Sequence, residues 1–340
     1  MNVRRRRNVL GAGVLAMAVV AAGCSSGQEE GGESTGGSKG SGEITIAVLQ
    51  KQGDQQYFVD EADGAKEMAE ELGDVKITVA DLGLDANQAI SELDAAIAQE
   101  VDGIVIVVPD QQIGPQVIDA AKQAGIPLVA ADDVIKDASG AEAPFVGFNG
   151  TQMGESVGAE AAKLYEESGW AAADTRIIAA WKQDLTVCTD RVEGAAAAFG
   201  ETVSDVPETI NLGTDNTPTG AQNKAGAAIT ANQGVKNWVV WGCNDENVEG
   251  VVTALQNSGV KPDNIIGVAL GGYLACKPWQ AEEPTGMKSA LFIDGRAVGS
   301  SAVEVLVKHL RDGDDLPAET IAPTEIVDPT NWQDAGLACT

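Results

Sequence analysis

IPLVAADD, from Ile126 to Asp133, is an apolar run that ends abruptly in two carboxylates. Strands of a parallel sheet covered on both faces read as near-continuous apolar residues, and ligands collect just outside the carboxyl ends of such strands. Asp132 and Asp133 therefore stand where a ligand would be held, although Asp also commonly caps the helix or turn that follows a strand.

Upstream of that stretch the same unit recurs. Ile44 to Leu49 alternates like a strand, the polar loop KQGDQQYF spans Lys51 to Phe58, and a helical pattern continues to Leu72. Val75 to Ala80, Gly103 to Val108 and Pro127 to Ala131 read as further strands, with helices over Ala86 to Gln99 and Ile113 to Ala124, and Phe145 to Asn149 as a fifth short strand. Strands alternating with helices of this length imply βαβ units and a parallel sheet. Lys51, Asp110, and Asp132 with Asp133 lie at or just past strand ends, so one sheet edge gathers them although they are far apart in sequence.

Beyond Asn149 the alternation starts again. Strands are expected over Ile177 to Trp181, Glu208 to Leu212, Trp238 to Trp241 and Ile265 to Leu270, and helices over Arg191 to Phe199, Gly220 to Asn232 and Glu246 to Ser258. The polar strand-end residues of this half are Asp184, Arg191, Asn244 and Asp245. Two α/β lobes would thus face each other with a ligand between them. An amphipathic helix (Val298 to Leu310), a strand (Ile321 to Val327) and a short terminal helix (Asn331 to Leu337) form a tail expected to cross back to the first lobe and return to the second.

Composition narrows the class. The 340 residues are 44% hydrophobic and 4% aromatic with 40 glycines, which suits a Gly/Ala/Val-rich α/β protein of two ordinary domains. The formal charge is −29; without the four arginines of the first 23 residues, 18 basic groups face 51 acidic ones, a charge of −33. Such a field repels phosphate backbones and argues against nucleic-acid binding. Arg4 to Arg7, the apolar run Val9 to Val20 and the small residues Ala21-Ala22-Gly23 before Cys24 look like a lipoprotein signal whose cysteine takes the lipid. Arg6 to Leu10 also loosely resembles a twin-arginine signal. The Gly/Ser/Glu-rich stretch that follows reads as a flexible tether. With Cys24 lipidated, Cys188, Cys243, Cys276 and Cys339 remain. An even count in an exported chain without CxxC spacing favours disulfides over zinc, with three pairings open.

Taken together, VLQKQGDQQYF, IVIVVPD, PLVAADD, the RxxG of Arg191 to Gly194, WGCNDENVEG and NIIGVALGG resemble, in order, the solute-binding lipoproteins of ABC importers with the type I periplasmic-binding-protein fold. Within that group they are most similar to arabinose-binding proteins. The resemblance implies two Rossmann-like doubly wound parallel-sheet lobes joined by a multi-strand hinge. It divides the chain into a signal peptide (1–23), a lipid-anchored tether (24–42), an N-terminal lobe (43–149 plus 293–324) and a C-terminal lobe (150–292 plus 325–340). It further implies that Lys51 bonds sugar hydroxyls, that one ring of Tyr57 and Phe58 packs on the sugar, and that Asp132 and Asp133 form the paired aspartates of the site. Phe148 would be an apolar contact near the hinge, Arg191 would approach the ring oxygen, and Asn244 would contact neighbouring hydroxyls; Asp110 and Gln55 complete the expected ligand set. In the strand order of the fold, Cys188 and Cys243 follow neighbouring strands, which implies a Cys188–Cys243 bridge at the cleft rim and leaves Cys276 to pair with Cys339. The chain departs from the arabinose pattern at Gln55 (a glutamate in the family), at Gly271 and Leu274 (asparagine and aspartate), at Cys243 (methionine) and at Val107 (cysteine).

No enzyme chemistry is supported by these residues. The lone His309 lies far from every strand end, adjacent Asp132 and Asp133 cannot face each other across a glycosidic bond, and no phosphate loop is present. The expected protein is a monomer without cofactor, metal or nucleic acid. It is held at the outer face of the cytoplasmic membrane by the lipid on Cys24 and delivers a monosaccharide to an ABC permease. Alternatives are a sugar receptor signalling to a membrane kinase, or a cleft for a non-sugar small polar ligand.

Overall fold

The computed structural model describes residues 42–339. The signal segment, the lipid-bearing Cys24 and the tether as far as residue 41 lie outside the described residues. The first part of the body runs β1 (Ile44–Gln50), α1 (Gln56–Leu72), β2 (Val75–Asp81), α2 (Ala86–Ala98), β3 (Gly103–Ile106), α3 (Gly114–Ala124), β4 (Leu128–Asp132) and β5 (Phe145–Gly147). It continues through α4 (Gly150–Ser168), β6 (Thr175–Trp181), α5 (Thr186–Thr202), β7 (Glu208–Gly213), α6 (Pro218–Ala231), β8 (Asn237–Gly242), α7 (Asp245–Asn257) and β9 (Ile265–Gly271). Last come α8 (Cys276–Gln280), β10 (Met287–Ile293), α9 (Gly295–Asp312), β11 (Glu319–Ile321) and β12 (Thr324–Val327).

These strands form two six-stranded sheets, ordered β11-β5-β4-β3-β1-β2 and β12-β10-β9-β8-β6-β7. All pairings are parallel except that of β12 with β10. The architecture is α/β with two doubly wound lobes. Three segments cross between the sheets: residues 148–149 after β5, Asp294 after β10, and residues 322–323 between β11 and β12. Register brings the strand ends level, with Leu49 opposite Ile106, Gln50 opposite Asp81, and Asp132 opposite Gly147. The buried positions of β1, β3 and β4 explain their apolar sequences, since helices cover both faces.

Helix pairs meet at unusually short range through glycine. A Cβ on Gly158 of α4 would fall 2.7 Å from Ala195 Cα of α5, and one on Gly299 of α9 would fall 2.8 Å from the Glu61 carbonyl carbon of α1. Both pairs use glycine where any side chain would hold the backbones apart.

Two expectations for the chain are corrected. Ile321 to Val327 is two strands in different sheets, because Pro323 has no N–H to continue a ladder and restricts Ala322 before it. Asn331 to Leu337 forms turns instead of a helix; Trp332 and Leu337 are buried against the second sheet, and Cys339 is bonded to Cys276. The sequence reading also leaves out α4, α8 and β10.

Candidate functional site

The carboxyl ends of the two sheets enclose a cleft of about 820 Å³ including its open mouth. Lys51, Gln55, Tyr57, Phe58, Asp132, Asp133 and Phe148 line it from the first lobe, and Arg191 and Asn244 from the second. Asp110 is not on the lining. It caps a 3-10 turn by accepting from Gln112 N at 2.8 Å, and its other oxygen accepts from Thr186 N at the start of α5 at 3.1 Å, so it ties one lobe to the other beside the cleft.

Asp132 ends β4 with φ at 60°, a left-handed conformation that Asp tolerates better than most residues. Gly147 makes this possible, since a Cβ there would fall 2.6 Å from Asp132 N. The turn separates the two carboxyls. Asp132 Oδ1 accepts from the Tyr57 hydroxyl, whereas Asp133 Oδ2 accepts from Lys51 Nζ at 3.0 Å in a buried ion pair. Asp132 Oδ2 and Asp133 Oδ1 are buried with no donor among the described residues. Burial pushes Asp132 up to about 7 against the opposing pull of the Tyr57 hydroxyl, and the Asp133 charge adds to the rise. Tyr57 is pushed well above the usual phenol value, first by desolvation and then by the Asp132 charge, which keeps it a donor. Its ring stands edge-on to Phe58 at 5.1 Å and to Tyr273 at 6.2 Å, making an aromatic wall that joins both lobes.

The second rim is built around a disulfide. Cys188 and Cys243 are bonded, with Cα atoms 4.8 Å apart, and Cys276 and Cys339 form a second bridge. Arg191 Nη1 donates to the Cys243 carbonyl at 3.1 Å, while its buried Nε has no acceptor. Asn244 caps α7 by accepting from Asn247 N at 3.2 Å, and its amide nitrogen is only loosely held by the Asn216 carbonyl at 3.4 Å. Asn216, buried with φ at 62°, donates to Cys188 Sγ at 3.3 Å and accepts from Lys182 N at 2.9 Å.

Several residues absent from the sequence reading belong here. Asn216 and Tyr273 line the cleft, as does Glu246, which burial and the Asp245 charge push up to about 8. Asp245 lines it too and accepts from Leu274 N at 2.9 Å. Asn216 lies after β7, so the strand-end rule that selected Asn244 also reaches its position. Gly271, Leu274, Leu270 and Ile293 make one side of the cleft largely apolar. The single histidine, His309, is outside the cleft lining, with Nδ1 2.6 Å from the Asp314 carbonyl.

Two α/β lobes of this strand order, connected by three segments and closing on a polar cleft, define a solute-binding protein of the type I periplasmic-binding-protein fold. The chain belongs to the periplasmic binding protein family, whose domain is matched over residues 46–315. It is 26% identical over 309 residues to the ABC transporter L-arabinose-binding periplasmic protein of Azospirillum brasilense, covering 88% of this chain and 90% of that protein. The L-arabinose-binding periplasmic protein of Escherichia coli is 27% identical over 274 residues, covering 77% and 80%. Among solved structures, an ABC transporter solute binding protein from Bacillus halodurans with bound myo-inositol matches with a TM-score of 0.73 at 20% identity, over 87% of this chain and 98% of that one. One from Mycobacterium smegmatis with bound glycerol also gives 0.73, at 22% identity over 88% and 99%. These structural likenesses speak for the fold. No helix among the described residues is long and apolar enough to cross a membrane.

Proposed function

We infer that the protein captures a monosaccharide, an arabinose-like pentose or a related sugar, in the cleft and hands it to the permease of an ABC importer. The lipid on Cys24 would hold it at the outer face of the cytoplasmic membrane. One observation carries the reading: two buried carboxylate oxygens without donors on one rim share a cleft with an unpaired guanidinium nitrogen on the other. A polyol presents donors and acceptors on adjacent carbons, so it satisfies both rims at once, and each charge-assisted bond is about twice as strong as a neutral one. The aromatic wall of Tyr57 supplies area for a C–H face at low rotamer cost. The arabinose-binding relatives support the sugar class. Gln55, Gly271 and Leu274 change the hydroxyl pattern the site would select, because an unpaired buried polar group is discriminated against steeply.

In this mechanism the open form admits sugar, and the closed form is selected because only it makes both sets of contacts. The two lobes, residues 43–149 with 293–324 and 150–292 with 325–340, would move as bodies about the three crossings. The protein would act alone, as a monomer without cofactor. A thermal-shift screen of pentoses, hexoses and small polyols tests the reading, since a ligand at one hundred times its Kd stabilises by about 2.7 kcal/mol. A panel in which no sugar raises the melting temperature would remove the monosaccharide assignment. Arg191→Ala should weaken the best sugar by about ten- to a hundredfold, the worth of a bond to a charged group, in a protein that still folds.

A further inference from the structure

The first turn of α5 has no cap of its own. Leu185 occupies the N-cap position with extended backbone, and a leucine side chain has no oxygen to offer the amides that open a helix. The acceptor comes from the other lobe: Asp110 Oδ2 receives Thr186 N at 3.1 Å, while Oδ1 receives Gln112 N at 2.8 Å within its own lobe. Each oxygen of one carboxylate therefore serves a different lobe, and its charge meets the positive end of the α5 dipole.

An apolar contact accompanies this bond. Leu185 and Val187, on either side of Thr186 in the chain, are buried with the Cys188–Cys243 bridge, and Leu84 from the loop after β2 packs against them. Topology puts both contacts at the mouth of the cleft. The crossings between the lobes leave β5, β10 and β11, at one side of each sheet, whereas β3 and β2 stand two and four strands from β5, and β6 stands three strands from β10. At about 4.8 Å per strand these loops lie roughly 10–19 Å from the crossings, so a rotation that opens the cleft parts them.

We propose that Asp110 is a positioning residue for ligand capture: it caps α5 across the cleft mouth only when the lobes are closed, and with Leu84 it forms a latch that sets how readily the protein closes on any ligand. The latch rests on the monosaccharide reading for what is captured, but Asp110 is off the cleft lining and its bond to Thr186 involves no ligand. Closure enters every ligand's affinity as one common factor, because only the closed fraction of the protein makes both sets of contacts. Losing the latch therefore weakens all ligands alike, and the loss shows in release, since sugar enters before the mouth shuts.

Thr186→Pro isolates the bond. Proline at the first helical position keeps the helix and lacks the N–H, and the residue before it must be extended, as Leu185 already is at φ −99° and ψ 120°. The experiment compares wild type, Asp110→Ala, Thr186→Pro and the double variant by calorimetry and stopped-flow tryptophan fluorescence, with L-arabinose and D-galactose as probes. One cap bond is worth about fivefold, so each single variant should weaken the sugars by about that factor through faster release with capture unchanged. The double variant should be no weaker than either single one, because both remove the same bond. A Thr186→Pro protein that binds as tightly as wild type would overturn the latch, and so would losses that differ between the two sugars or that add in the double variant. Should Thr186→Pro not fold, Asp110→Ala is held to the same equal loss and the same change confined to release. If no sugar of the panel binds wild type, the monosaccharide reading is what fails. The latch is then read from amide hydrogen exchange in the sugar-free protein: Thr186 should exchange about fivefold faster in Asp110→Ala than in wild type, and equal rates would overturn it.

Discussion

Replacing Lys51 by methionine removes one half of the buried pair with Asp133, whose side chains are 8% and 3% exposed at an Nζ–Oδ2 distance of 3.0 Å. The loss is large because the remaining carboxylate is uncompensated; breaking a buried pair costs about 3–5 kcal/mol. Lys51 also opposes the charges of Asp132 and Glu61, so its removal drives proton uptake by that pair as well. At roughly 2–4 °C per kcal/mol for a body of this size, Lys51→Met should melt on the order of 10 °C below wild type at neutral pH. Lys51→Met with Asp133→Asn removes the stranded charge and should recover most of the loss, giving a coupling of about 2–3 kcal/mol in the double-mutant cycle. Sugar affinity, measured by calorimetry on the same proteins, should fall in both and not recover in the double variant. Equal stability of Lys51→Met and wild type would refute the buried-pair reasoning, and recovery of binding in the double variant would refute a direct role for Lys51 in the cleft.

Other predictions follow from the same geometry. Glu246→Gln should flatten the fall of melting temperature between about pH 4.5 and pH 8, because a carboxyl raised to about 8 in the folded state stabilises on the acid side; the slope removed is at most about 1.4 kcal/mol per pH unit, less where solvent reaches this half-buried group. Cys276→Ser with Cys339→Ser opens a bridge spanning 63 residues and should cost about 4 kcal/mol in the chain-entropy picture, read from urea midpoints. Gly158→Val should destabilise by at least about 1–3 kcal/mol, since the side chain would force α4 off the α5 backbone; a variant as stable as wild type would show that the helices can separate freely.

Legibility in the sequence followed how local each signal was. The apolar strands and their polar ends needed only period and burial, so IPLVAADD, the Lys51 loop and the Arg191 helix were readable as parts of facing sheet edges. Helix α4 was hidden by Gly154 and Gly158, which lower helix propensity but permit the close approach to α5. The tail was misread because Trp332 and Ala335 stand three residues apart, as on one helix face, yet a disulfide and the second sheet hold this segment as turns. Nothing local in DEADG, residues 60–64, marks Glu61 as buried, because its burial depends on α9, more than two hundred residues later, packing over α1.

The sequence by itself determined two βα alternations and the residue types at their strand ends, because apolar period and turn chemistry act over a few residues. Tertiary structure alone decided that Asp132 and Asp133, adjacent in the chain, take different partners. A left-handed turn sends one carboxyl to Tyr57 and the other to Lys51, and the charge each carries depends on how far distant segments exclude water from it.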